Sequence, residues 1–99
     1  MKRVVFTFEA DEDLDQAVAF YDTRGVALGD QLRDRVAEAA ARVAAQPGVG
    51  WRVGRHGGRR TLVRGYPYSL VYVNETVVVR VVAIPHHSQG HRSWSRLLP

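Results

Sequence analysis

The sequence predicts an α+β domain with the element order β-α-α-β-β-β, in which a helical hairpin packs on a small, mainly antiparallel four-stranded sheet. The hydrophobic period carries this prediction, because it changes from two residues to three or four and then back to two along the chain. The one linker-like segment, residues 47–58, contains one Pro and five Gly and is too short to separate domains. Residues 1–99 are therefore expected to form a single domain.

The first half of the chain supplies one strand and the helical hairpin. Apolar residues alternate over residues 2–8, which is typical of a strand. An aspartate-rich start and apolar residues spaced three and four apart predict a first helix from Asp11 to Arg24. Gly25 suits a left-handed cap, and a second apolar stripe predicts a helix over Leu28–Gln46 that Pro47 stops.

The second half of the chain reads as three strands, over Arg59–Arg64, Ser69–Val73 and Thr76–Ile84. Asn74 and Glu75 between the last two predict a two-residue turn, opened by Asn at positive φ. The last strand is apolar on both faces, so we expect it at the centre of the sheet, with a right-handed crossover placing strand one beside it. Its one mid-strand cation, Arg80, needs an acidic partner, for which the candidates are Glu9, Asp11 and Glu75.

Charge is distributed unevenly between the two halves. Residues 1–50 carry six Lys or Arg and nine Asp or Glu, which gives −3, whereas residues 51–99 carry eight Arg and one Glu, which gives +7. Arginine offers a planar fork that suits phosphate and carboxylate groups. The second half therefore indicates an acidic protein or a nucleic acid as partner.

Several classes of site are not expected. The chain has no cysteine, so disulfides and thiolate metal sites are excluded. His87 and His91 have the spacing of helical metal ligands, but Gly90 interrupts any helix there, and Gly57-Gly58 precedes a strand rather than a phosphate-binding helix. We predict no metal, no small-molecule cofactor and no membrane partner, and a cytoplasmic location, because no signal-peptide core or spanning segment is present.

Residues 64–72 read Arg-Gly-Tyr-Pro-Tyr-Ser-Leu-Val-Tyr, and they are followed by His86-His87 at the end of the last strand and then by Trp94. With the element order, this stretch resembles the ParE branch of the RelE/ParE toxin superfamily over nearly the whole chain. The resemblance implies the growth-inhibiting toxin of a type II toxin–antitoxin system of the plasmid-stabilisation kind. It also implies DNA gyrase as the poisoned target and a cognate antitoxin, expected to fold on binding as a helix in a groove or as an added strand.

Two alternatives stay open. The RelE branch, which cleaves mRNA on the ribosome, places an arginine where this chain has Ser69. An endoribonuclease of that type would use His86 and His87 as acid and base and Arg64 against charge developing on phosphorus. The other alternative is a decayed, nontoxic basic binding module.

For the gyrase-binding hypothesis, the candidate target-binding residues are Arg60, Arg64, Arg92 and Trp94. Arg60 and Arg64 have the same parity on one predicted strand as Leu62 and should project from one face. Trp51 and Trp94 lie in irregular basic sequence, where each ring could cover the core or stack on a partner.

Overall fold

Five strands form one mixed sheet, with two long helices on one face and the C-terminal tail on the other. The computed structural model describes all residues, 1–99. This architecture confirms the predicted α+β class, with five strands rather than four. In chain order the elements are β1 (Arg3–Phe6), α1 (Phe8–Asp22), α2 (Leu28–Ala45), β2 (Trp51–Val53), β3 (Gly58–Val63), β4 (Tyr68–Asn74), β5 (Val78–Ala83) and the short α3 (Arg92–Ser95).

The sheet order is β1-β5-β4-β3-β2. β1 pairs with β5 in parallel, from Arg3 opposite Val78 to Phe6 opposite Val81, and the other three pairings are antiparallel. The predicted central place of the last strand beside strand one is confirmed. β5 is buried on both faces because helices cover one side and the tail covers the other.

The additional strand, β2, lies in the segment that was predicted to be a linker. Trp51 pairs with Arg60 and Val53 with Gly58. Gly50 makes this pairing possible, because a Cβ there would lie 2.6 Å from the Arg60 carbonyl oxygen and 2.9 Å from the Tyr72 hydroxyl. Gly50 and Gly58 thus permit close approach of the two strands, whereas Gly54 and Gly57, both at positive φ, lie in the turn between them.

The predicted boundaries of the first helix are wrong at both ends. α1 begins at Phe8 because the Thr7 hydroxyl accepts the Ala10 N–H at 3.2 Å, an N-cap that a strand over residues 2–8 leaves out. The helix ends at Asp22, and Gly25 has no left-handed conformation; Ala27 does, at φ 63°, just before α2. The predicted end of α2 before Pro47 is confirmed.

The last hairpin also differs from the prediction. β4 continues to Asn74, three residues form the turn, and Asn74 does not have positive φ. The Lys2 ammonium closes the turn instead, donating to the Asn74 side-chain oxygen and to the Glu75 carbonyl, both at 2.6 Å. Glu75 accepts two bonds from Arg80, each at 3.1 Å, which confirms it as the acidic partner of that arginine.

Two apolar clusters lie on opposite faces of the sheet. The larger one joins α1 and α2 to alternate residues of β3, β4 and β5, with Tyr72 fully buried at its centre. The smaller one contains Val71, Val73, Val82, Ala83 and Trp94, with Val53, Leu97 and Leu98 packed around it. The tail is therefore a structural layer of the domain.

None of the helices has the length and hydropathy needed to cross a bilayer.

Candidate functional site

Arg60 is held between two tryptophans on the sheet face that the long helices leave free. Its guanidinium carbon lies 5.9 Å from the centre of the Trp51 ring and 5.4 Å from that of Trp94. Trp51 is brought there by its pairing with Arg60 across β2 and β3, and Trp94 by packing of the tail. Both rings are near enough for cation–π attraction. We call these three residues the tryptophan clamp.

The tryptophan clamp contains two buried donors without acceptors. Neither Arg60 Nε nor Trp94 Nε1 has a hydrogen-bond partner, and no carboxylate pairs with Arg60. Burial lowers the pKa of Arg60, since desolvation disfavours its charged form. A guanidinium in this state gains from an acceptor supplied by another molecule.

Trp94 belongs to the second core. Its ring is only 2% exposed, covers Val71 and Ala83, and has the His91 imidazole against it at 4.5 Å. Of the two arrangements left open by the sequence, the structure shows the one in which this ring covers the core. Trp51 lies in β2 rather than in irregular sequence, and it is 51% exposed. Trp51 is thus the clamp residue that presents a ring to solvent.

Arg64 and Arg92, the other two candidate arginines, are unpaired cations. Arg64 lies in the turn beyond the end of β3, so it does not continue the strand face of Arg60 and Leu62 as predicted. Arg92 is the first residue of α3. Both side chains are exposed, and neither makes a hydrogen bond or an ion pair within the chain. Their donors are available to a partner.

A shallow depression of about 280 Å³ connects Arg64 to the tryptophan clamp. Its lining combines cations with apolar side chains: Arg42, Val49, Trp51, Thr61, Leu62 and Arg64. Leu62 is 50% exposed, and its carbonyl accepts a 2.8 Å bond from Arg42 of α2. This part of the β3 edge, which β2 is too short to cover, is therefore capped by a side chain.

His86 faces the helix side of the sheet. Its ring meets the Tyr68 ring edge-on at 5.1 Å, and Tyr68 packs against the larger core. The Ser88 backbone N–H donates to His86 Nδ1 at 3.0 Å. Nδ1 accepts this bond in the tautomer that carries its proton on Nε2.

His87 faces the opposite side. Its Nε2 lies 3.1 Å from the hydroxyl of Ser69, a fully buried residue next to Tyr68 on β4. Because neighbouring strand residues point to opposite faces, the partners of the two histidines are separated by the sheet. Arg64 has no hydrogen bond to either ring. The structure thus does not bring His86, His87 and Arg64 into one cluster.

No three of the His, Asp and Glu side chains come together in a way that could hold a metal ion. His91 packs on Trp94, and His87 is engaged with Ser69. The chemistry of this face is accordingly that of arginine and tryptophan.

Sequence comparison with protein families agrees with this fold. Residues 4–90 match the family described as the ParE toxin of the type II toxin–antitoxin system parDE. The chain belongs to the ParE toxin family. No curated protein matches this ParE-family chain in sequence. Its backbone is similar to a solved structure titled "Chromosomal ParDE TA system from P. aeruginosa", with TM-score 0.75 and 19% identity over 87% of this chain and 96% of that one.

Family membership identifies the chain as a type II toxin. The sequence analysis selected Arg60 and Trp94 of the tryptophan clamp as candidate target-binding residues but did not select Trp51. The sequence did contain one signal for β2: the triplet Trp-Arg-Val between two glycines, which is long enough for a strand of three residues. Arg42 was not selected either, because its bond to the Leu62 carbonyl depends on where α2 crosses β3.

Proposed function

We propose that this toxin binds and poisons DNA gyrase through the surface formed by Arg60, Arg64 and Arg92, with Trp94 as the residue that positions Arg60. The observation that carries the proposal is the tryptophan clamp, in which Arg60 is half-buried between two rings and its buried Nε is left without an acceptor. Protein interfaces favour this combination of aromatic rings and arginine. An acidic side chain of the target would complete the site.

The arrangement of the histidines favours binding over RNA cleavage. Cleavage by 2′-hydroxyl attack needs an acid and a base on either side of one phosphate. His86 and His87 instead have their partners on opposite sides of the sheet, and the Ser69 hydroxyl is hydrogen-bonded to the His87 ring. The ribonuclease alternative gains no support from this geometry.

We further propose that a cognate antitoxin neutralises the toxin by laying an amphipathic helix between α1 and the exit of β5. A depression of about 270 Å³ lies there, and its apolar lining is Ala17, Phe20, Tyr68 and Ile84. Phe20 is 47% exposed and offers an anchor to an apolar helix face. An added strand at Leu62 is less favoured, because Arg42 already occupies the carbonyl at that edge.

Controlled expression in bacteria tests the target. Pulse labelling during the first minutes should show loss of DNA synthesis while protein synthesis continues, and purified gyrase should accumulate cleaved DNA when the toxin is added. Early translation arrest with gyrase unaffected would overturn the proposal.

A matched pair of variants tests the surface. Replacing both Arg60 and Arg64 by Ala should abolish toxicity while the antitoxin complex still forms. The control replaces Arg33 and Arg35, which form exposed ion pairs on α2, and should stay toxic. Equal toxicity of the two double variants would show that Arg60 and Arg64 do not form the binding surface. That result would not bear on whether gyrase is the target.

A further inference from the structure

A second basic site lies at the tip of the β2–β3 hairpin. Arg52, Arg55 and Arg59 surround a pocket of about 350 Å³, with Asn74 on its far wall and glycines between them. Arg52 belongs to β2, Arg55 to the turn and Arg59 to β3, so the tight hairpin is what gathers them. The pocket shares no lining residue with the depression at Arg64.

The positive charge of this pocket is not compensated. None of the three arginines forms an ion pair. Glu75, which follows the lining residue Asn74, is occupied by two bonds from Arg80, and these bonds lower its pKa. Lys2 adds another cation beside the wall, because its ammonium is bound to Asn74.

Part of the pocket is preorganised. Arg59 Nη1 donates to the Gly50 carbonyl at 2.7 Å and to the Gly48 carbonyl at 3.3 Å, which holds the guanidinium in place while its other nitrogens remain free. The Asn74 oxygen is taken by Lys2, so its amide N–H groups are left as donors. Gly54 and Gly57, both at positive φ, leave the rim without side chains and open to a large anion.

We propose that this pocket binds phosphates of a nucleic-acid backbone. Arginine forks match phosphate oxygens, and no carboxylate belongs to the lining of this pocket. The lining contains one hydrophobic residue, Val53, whereas protein-binding sites have an apolar and aromatic centre. Interfaces with nucleic acid are more polar and more positively charged, as here. This proposal is independent of the gyrase surface described above.

The test is the binding of the full-length protein to a fluorescent DNA duplex, followed by anisotropy between about 50 and 200 mM salt. Replacing Arg52 and Arg55 by Gln should weaken binding about tenfold or more and reduce the slope of log K against log salt by about 2, because each phosphate contact contributes close to one unit. The lysine pair, Arg52→Lys with Arg55→Lys, should retain the slope.

The control replaces Arg3 and Arg24, neither of which lines the pocket, by Gln and removes the same charge. It should keep the wild-type slope. The proposal is overturned if the two glutamine variants lose equal affinity, if the wild-type protein does not bind the duplex, or if an oligoglutamate peptide displaces the duplex at lower concentration than unlabelled DNA does. Circular dichroism checks that each variant is folded.

Discussion

The carboxylate of Asp13 accepts the backbone N–H of Ile84 at 2.8 Å and so ties the first long helix to the residue that follows β5. Burial raises the pKa of Asp13, and this effect outweighs the hydrogen bond, which acts in the other direction. The contact holds the start of the segment that carries His86 and the tail. This carboxyl group therefore links the pH of the medium to the attachment of α1 to the end of β5.

Asp13→Asn should make the folded protein less sensitive to pH. Because the folded pKa of Asp13 lies above the ordinary 3.8, the folded state holds its proton more tightly, and the stability linked to that proton is lost as pH rises through the folded value. Asn is neutral throughout and still accepts the Ile84 N–H. In urea titrations between about pH 3.5 and 7, the variant should therefore gain stability over wild type as pH rises.

Asp13→Ala provides the comparison. It leaves the Ile84 N–H without its acceptor, which should cost about 1–3 kcal/mol at low pH and less as pH rises, because this variant also lacks the titrating carboxyl group. Asp15→Asn, at an exposed ion pair, serves as the control for loss of charge. A difference between Asp13→Asn and wild type that stays constant with pH would contradict the raised pKa.

Tyr72→Phe should loosen β2. The buried hydroxyl donates to the Pro47 carbonyl at 2.6 Å and accepts the Gly50 N–H at 3.1 Å, so its removal leaves the buried Gly50 N–H and the partly buried Pro47 carbonyl unpaired. We expect the free energy of unfolding to fall by about 1–3 kcal/mol, and the emission of Trp51 to shift toward that of a solvated indole. Tyr66→Phe is the matched control, since its hydroxyl bonds at the edge of α2. Equal losses from the two variants would contradict this role.

The attraction between Arg60 and Trp94 can be measured by a double-mutant cycle. Arg60→Met and Trp94→Leu should each destabilise the domain, and the coupling between them should be about 0.5–2 kcal/mol by chemical denaturation. The coupling free energy between Arg60→Met and Trp51→Leu should be smaller, because the Trp51 ring is farther from the guanidinium and half exposed. Additive effects in the Trp94 cycle would show that the ring only fills space.

His87→Ala should leave toxicity unchanged within about twofold, since the side chain is exposed and its contact is one bond to Ser69. The readout is growth after controlled expression, together with mapping of transcript ends. Transcript cleavage that depends on His87 would revive the ribonuclease alternative. Ser69→Ala, which removes the bond but keeps the ring, separates the two contributions.

Most of the fold could be predicted because the apolar period is strong in the long elements. The apolar stripe from Leu28 to Val43 fits only a helix, and the run of valines in β5 fits only a strand. β2 could not be found in this way, because three residues between glycines give no period. The start of α1 depends on the Thr7 hydroxyl, a single local bond that outweighs the strand-like alternation before it.

The candidate site was predictable in composition and less so in geometry. Strand parity correctly placed Arg60 and Leu62 together, but it could not show that Trp94 returns over Arg60. That contact depends on the path of the tail, which few local signals determine. The faces of the sheet toward which His86 and His87 point could not be predicted either, because they depend on contacts with Tyr68 and Ser69 of the neighbouring strand.

The parallel pairing of β1 with β5 affects how the chain can fold during synthesis. β1 leaves the ribosome first, yet its neighbour in the sheet ends at Ala83, near the end of the chain. Until then the apolar face of the helical hairpin has no complete sheet to cover, and contacts so distant in sequence form slowly. Nascent and truncated chains thus lack both the tryptophan clamp and the second core. The tryptophan clamp and the second core therefore form only once Trp94 has left the ribosome, long after the helical hairpin has been synthesised.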